Sequence, residues 1–323
     1  MQPAQFFSSA DVLIVAGKGG VGKTVAAATM ATAAARTGLS VLLVEVAGRS
    51  ASAPMFGADP QGYEEATVLH EAGDDEAGSV TLKSITPDQA LVEWLATHGF
   101  NRLIGRLASS GILEIVATAT PGIKDLLVLG RIKALADERT YDLIVIDAPA
   151  AGHAVGFLRS PRGVRDVART GVLHRQAGEV LDLIGDPDRC QVVLVTIPEE
   201  TPVNELVETS FAVEEELGVR LGPVIVNAVL PEVAGLDIDL DDLTDAELAL
   251  NDDERTALVL ASAFRAGRAE LQTNQLERLA DLLPLTQIRF PQLFGTTVGP
   301  DEIAQLADVL TEAITALPEP VSP

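Results

Sequence analysis

Residues 17–24, Gly-Lys-Gly-Gly-Val-Gly-Lys-Thr, constrain this chain more than any other stretch. An apolar run, Val12 to Ala16, precedes them and reads as a buried strand. An Ala-rich run, Val25 to Arg36, follows and reads as a helix. Strand, glycine-rich loop and helix in that order make a cradle for phosphate. Glycines let successive backbone N–H groups turn inward with no Cβ in the way, and the helix N-terminus adds its positive end. Gly19, Gly20, Val21, Gly22, Lys23, Thr24 and Val25 are therefore the expected nucleotide contacts. Lys23 has the reach for the β- and γ-phosphates, and the Thr24 hydroxyl suits Mg²⁺. ATP or ADP with Mg²⁺ is the expected ligand set.

A second signal lies at Asp147-Ala148-Pro149-Ala150-Ala151-Gly152-His153. It follows an apolar strand, Tyr141 to Ile146, and an aspartate at such a strand end holds Mg²⁺ in phosphate-cradle proteins. The competing reading of Asp147 is a helix N-cap. Gly152 offers a backbone N–H that can sense a terminal phosphate. His153 is either a relay in that loop or a satisfied loop histidine. Val41 to Val46, carrying Glu45, reads as a second apolar strand. Two such strands joined by a helix make a βαβ crossover, hence an α/β fold with a mostly parallel sheet and helices on both faces.

Lys18, just after the first glycine, makes residues 17–24 resemble the deviant Walker A loop of the ArsA/MinD/ParA ATPases and the nitrogenase iron protein. The resemblance implies a P-loop NTPase fold, ATPase activity, a dimer, and a Lys18 that crosses to the partner's nucleotide. The plainer reading of Lys18 is added positive charge for the chain's own phosphates. A cation supplied in trans in this chemistry is worth roughly 10³–10⁵ in rate. Residues 47–50 resemble switch I of the ArsA-like members, where Arg49 and Ser50 could face the phosphates. Ala47 stands where that family has the water-positioning aspartate, which puts independent hydrolysis in question. Arg49 reads equally as a surface arginine. Asp147 to His153 matches the spacing of the family's switch II. Thr120-Pro121-Gly122-Ile123 resembles its Pro-Gly-Ile stretch, with Lys124 departing from the first acid. Asn227 falls where the family reads adenine, or is a turn asparagine. Pro291, Gln292 and Leu293 fall where the family covers the base. With Glu45-Val46-x-Gly48-Arg49, the chain looks most like actinobacterial ArsA-related ATPases, which occur as paralogous pairs. A homodimer, or a heterodimer with a paralog, acting on an unknown client is what this implies. The arsenite pump has two P-loop halves and metalloid-binding cysteines, and this chain has neither.

Composition narrows the rest. The 323 residues are 47% hydrophobic but 4% aromatic, so the core is expected to be aliphatic. A formal charge of −24 disfavours nucleic acid and anionic lipid, which need a basic face. Cys190 is the one cysteine and reads as a small core residue beside the strand Gln191 to Ile197. No apolar run approaches the ~20 residues of a membrane span, and no leader-like pattern opens the chain. A cytoplasmic protein without an integral membrane segment is expected.

The chain reads as one domain over 1–323, with residues 1–10 a short extension. A helical insertion at about 86–120 has apolar residues at helical spacing and no Met, which favours core over a client groove. Thr86 or Asp88 would cap its first helix, and Thr201 would cap a helix over 202–217. Residues 231–254 carry ten acids and no base. Asp242 stands where an EF-hand needs glycine, and Leu248 where it needs glutamate, so a solvated acidic excursion is expected rather than calcium binding. Arg159, Arg162, Arg165, Arg169 and Arg175 form the basic cluster. They suit a partner subunit, an anionic ligand or the chain's own carboxylates. Three functions follow: a dimeric ATPase switch, a non-hydrolysing nucleotide-binding subunit beside a competent paralog, or a ParA/MinD-like positioning ATPase. The acidic charge and missing basic helix disfavour the last.

Overall fold

In the structure, a computed structural model, residues 1–46, 51–59, 65–70, 78–97, 122–233 and 251–318 are described, with backbone alone for His70 and residues 150–153. Eight strands form one sheet: β1 (Val12–Gly17), β2 (Ser40–Val46), β3 (Ala66–His70), β4 (Ser79–Ile85), β5 (Leu143–Ala150), β6 (Cys190–Thr196), β7 (Val224–Val229) and β8 (Gln287–Pro291). Their order is β3-β4-β2-β5-β1-β6-β7-β8, and only β3 runs antiparallel to its neighbour. The parallel strands are apolar on both faces because helices cover both.

Alternation along β1 divides the core. Leu13 and Val15 face one side, with Leu43, Val145, Val193 and Phe290. That side is covered by α2 (Lys23–Ala35) and the last helix, α9 (Pro300–Ala316). Ten residues of α2 are buried, most of them alanine, and such small side chains let a helix lie close against a sheet. Val12 and Ile14 face the other side, with Leu42, Val44, Ile144 and Leu194. Covering that side are α3 (Pro87–Thr97), α4 (Ile123–Glu138), α5 (Ala151–Val167), α6 (Val172–Ile184) and α7 (Glu200–Phe211). Cys190 is fully buried, and burial pushes its thiol up to about 12, as a core cysteine requires.

Several boundaries differ from the sequence expectation. Residues 1–10, expected as a short extension, pack into the core. They form α1 (Pro3–Phe7), whose Phe6 and Phe7 are buried, with Phe7 fully enclosed. Thr201 does not cap α7, which begins one residue earlier at Glu200 and carries Thr201 in its first turn. The α-helix ends at Phe211 and widens into a π turn over Ala212–Glu216 rather than running on as α-helix to 217. Thr86 is the cap of α3, accepting from the Gln89 N–H at 3.4 Å. Asp147 is not at the end of its strand, since β5 continues to Ala150. The strand expected over 221–226 runs instead from Val224 to Val229, so Asn227 lies inside it.

The last helix before β8 is α8 (Asp252–Leu282), opened by a capping box. Asn251 Oδ1 accepts from the Glu254 N–H at 2.9 Å, and Glu254 Oε2 accepts from the Asn251 N–H at 2.9 Å. Asp252, Asp253 and Glu254 therefore belong to a helix start, where acids complement the macrodipole, and not to the acidic excursion. Residues 234–250 and 98–121, the bulk of that excursion and of the helical insertion, lie outside the described residues.

Candidate functional site

The chain turns to opposite sides of the sheet after β1 and after β5, so β1 sits at the switch point. Ligands of open α/β sheets bind at the carboxyl ends of strands there. The loop Lys18–Gly22 leaves β1 at that edge and enters α2. The glycines at its two ends, Gly17 closing β1 and Gly22 before α2, are demanded by their surroundings. At Gly17 a Cβ would lie 2.2 Å from the Val195 carbonyl oxygen of neighbouring β6. Gly22 adopts φ +93°, and a Cβ there would meet Asn227 Nδ2 at 2.2 Å.

Asn227 is thereby placed under the loop. Its Nδ2 donates to the Val21 carbonyl at 3.0 Å, so its amide props the loop backbone from β7. The next residue, Ala228, is held in the left-handed region at φ +59°. Gln272, buried on α8, secures that turn from both sides. Its Nε2 donates to the Ala228 carbonyl at 3.2 Å, and its Oε1 accepts from the Leu230 N–H at 2.8 Å. Nothing in the sequence singled out Gln272, because α8 carries it forty-five residues beyond Asn227. That separation can be closed only by the tertiary fold.

Register brings the charged groups together. Val15 of β1 and Glu45 of β2 both stand opposite Asp147 of β5. Thr24, at the start of α2, donates its hydroxyl to Asp147 Oδ2 at 2.6 Å. Among the described residues, Asp147 Oδ1 is buried with no hydrogen-bond partner. Burial raises the Asp147 pKa, outweighing the Thr24 hydroxyl and the Lys23 ammonium, which pull it down, while Glu45 pushes it further up. Lys23 has its pKa lowered by burial, partly offset by Asp147. Its Nζ donates to the Lys18 carbonyl at 2.9 Å. Two oppositely charged groups thus sit desolvated beside a hydroxyl and an orphaned carboxylate oxygen. Water-depleted charge of this kind is costly unless a ligand satisfies it. The donor set of one carboxylate and one hydroxyl suits a hard, oxygen-loving cation such as Mg²⁺.

Glu45 has a separate task. Its Oε1 accepts from the Ser52 N–H at 2.6 Å in a buried contact, pinning the far end of the segment after β2. Ala47 and Arg49 themselves lie outside the described residues, as does the side chain of His153, and Gly152 is described by its backbone alone. Lys18 Nζ pairs with Glu205 Oε1 of α7 at 2.7 Å. Pro291 closes β8, pairing in register with Val229. The Gln292 N–H donates to the Val229 carbonyl at 2.7 Å, and Leu293 packs partly buried on the α2 face. These three residues are thus tied to the end of the strand that carries Asn227.

The basic cluster divides. Arg159 pairs with the Glu216 carboxylate, and Arg162 donates to the Glu216 carbonyl at 2.6 Å. Arg165, Arg169 and Arg175 are exposed. A cleft of about 450 Å³ between α3, α4 and α6, walled by Trp94 and Leu127, includes no residue of the phosphate loop. Its Arg131 pairs with Glu93 and Glu138, and its Lys133 with Asp137.

Comparison with known proteins agrees with this geometry. The family model described as anion-transporting ATPase matches residues 10–177. ATPase BagA of Mycobacterium tuberculosis is 35% identical over 227 residues, covering 68% of this chain and 65% of that protein. A putative arsenical pump-driving ATPase of Halobacterium salinarum is 26% identical over 69% of this chain and 36% of its own length. ATPase get3 of Neurospora crassa is 26% identical over 61% of this chain and 55% of its own. The chain therefore spans somewhat less than two thirds of the mycobacterial relative it matches.

Proposed function

From the membership of this chain in the anion-transporting ATPase family, which its residues 10–177 establish, we propose that it is a Mg²⁺-dependent ATPase working as a dimeric switch. The carrying observation is the Thr24–Asp147 pair at 2.6 Å beside Lys23, with Asp147 Oδ1 buried and unpartnered among the described residues. Backbone N–H groups of Gly19 to Val25 would hold the phosphates, and Lys23 would exchange the Lys18 carbonyl for them. Thr24 and Asp147 would hold Mg²⁺, which when bound neutralises charge on the β- and γ-phosphates. Arg49, Asn227, Pro291, Gln292 and Leu293 complete the proposed nucleotide contacts. Gly152 would report the terminal phosphate through its N–H, moving residues 147–153. Lys18 would act across the dimer, so that hydrolysis converts a closed pair to an open one.

Among the described residues no helix is long and apolar enough to cross a membrane. We place the chain in the cytoplasm, paired with itself or with a paralogous ATPase and serving a client protein. Ala47, where the family carries an aspartate, supports a second reading. In that reading the chain binds nucleotide without hydrolysing it and regulates a competent paralog. Calorimetry with millimolar ATP and magnesium tests nucleotide binding, with heat expected for the parent and none for Lys23→Ala. Phosphate release, measured alone and with a paralog present, separates the two readings. Steady release from the chain alone supports the first, and release only with the paralog the second.

A further inference from the structure

Lys18 is occupied twice within its own chain. Its ammonium lies 2.7 Å from Glu205 Oε1, and its carbonyl accepts from Lys23 Nζ at 2.9 Å. Glu205 arrives there by topology: α7 follows β6, and β6 lies beside β1, from which the phosphate loop springs. The carboxylate is carried on a fixed support. Val203, Leu206, Thr209 and Ser210 bury one face of α7. On its other side Asn204 accepts from Arg278, and Arg268 of α8 pairs with Glu199 at 3.2 Å. A carboxylate on so restrained a helix cannot follow the lysine outward.

Resting on the dimeric reading above, we infer that Glu205 is a positioning residue for Lys18, holding its ammonium on its own subunit until a second subunit's nucleotide takes it. A polyphosphate offers Lys18 more negative charge than one carboxylate, so the exchange runs toward the partner's nucleotide. The two groups are 36% and 38% exposed, so screening keeps the pair weak enough to be broken. Lys23 couples the exchange to the chain's own ligand. Phosphate that draws Lys23 away releases the Lys18 carbonyl, loosening the backbone that carries the outgoing side chain. The closed pair then forms only after Glu205 is displaced, which raises the protein concentration needed for association.

Glu205→Gln tests this, since it keeps the shape and removes the charge. Acetylation of Lys18 by an N-hydroxysuccinimide ester, followed by mass spectrometry without nucleotide, should be faster in Glu205→Gln than in the parent. In sedimentation with Mg²⁺ and a non-hydrolysable ATP analogue, the dimerisation midpoint should fall by a factor of up to about five, the worth of an exposed pair. Combined with Lys18→Ala, the Glu205→Gln shift should vanish. Equal acetylation rates overturn the pairing. A faster rate with an unmoved midpoint, or a shift that survives in the Lys18→Ala background, overturns the positioning role. Should the parent itself show no nucleotide-dependent dimer while acetylation still quickens, the dimeric reading fails first and the positioning role with it.

Discussion

At the scale of single residues, this chain tolerates strain and desolvated charge around its phosphate loop. Asp147 is the clearest case, because burial holds its carboxyl above the ordinary range. Between the usual carboxylate value, about 3.9, and the raised native one, the folded state binds the additional proton. Stability therefore falls as pH climbs through that window. Asp147→Asn removes the penalty and should melt higher than the parent near neutral pH without nucleotide, with a flatter acid profile. The same variant should gain less thermal stability from ATP and magnesium. A melting point at or below that of the parent at pH 7 contradicts this account. Gly22→Ala should act in the opposite direction. Its Cβ would meet Asn227 Nδ2 at 2.2 Å from a left-handed backbone, which costs on the order of 1–3 kcal/mol. Denaturant unfolding would measure that loss, and calorimetry a weakened nucleotide affinity.

Elements hold the loop by contacts remote in sequence. Gln272 on α8 satisfies two backbone groups of the turn after Asn227. Gln272→Leu removes both hydrogen bonds, which are part-buried, at about 0.5–1.5 kcal/mol each. Because Asn227 supports Val21, nucleotide affinity should weaken together with stability. A variant that loses stability but binds as tightly as the parent would uncouple the turn from the loop. Helix α1 is a second such element. Phe7 is fully enclosed in the core that α1 shares with α2 and α9, and Phe7→Ala should cost about 3–5 kcal/mol in urea unfolding. Its two adjacent phenylalanines were visible in the sequence. A five-residue segment beginning with proline carries too little periodicity to announce a helix, and only burial against α2 and α9 makes it one.

Charge acts on the molecule as a whole. With 47 acids against 23 lysines and arginines, the folded chain repels itself over distances longer than any one pair. Local networks offset part of this. Arg189 joins Asp11 and Asp137, tying the starts of β1 and β6 to the end of α4. The long-range term is screened within about 8 Å at physiological salt. Raising NaCl from about 10 mM to 150 mM, a range that shortens the Debye length several-fold, should therefore raise the melting temperature. A fall would mean that the ion pairs outweigh the net repulsion.

Residues 12–36 alone specified strand, phosphate loop and helix, because glycine spacing and apolar runs act through neighbours in the chain. The parallel sheet and its helical cover were legible for the same reason, as was the presence of Asp147 in the fifth strand, though not that the strand runs on past it to Ala150. The resemblance to the ArsA-like ATPases rested on those stretches too, and the family match over 10–177 agrees. Tertiary structure decided what only packing can bring together. It set Glu205 against Lys18, turned Asn227 beneath Gly22, clamped the Ala228 turn with Gln272 and used Glu45 to secure Ser52. It also left Asp147 Oδ1 buried and, among the described residues, unpaired. Apart from the Glu45–Ser52 contact, which spans seven positions, these depend on sheet order and on residues tens to hundreds of positions apart. Local periodicity has no term for such distances, whereas a close-packed interior fixes them once the strands have taken their places.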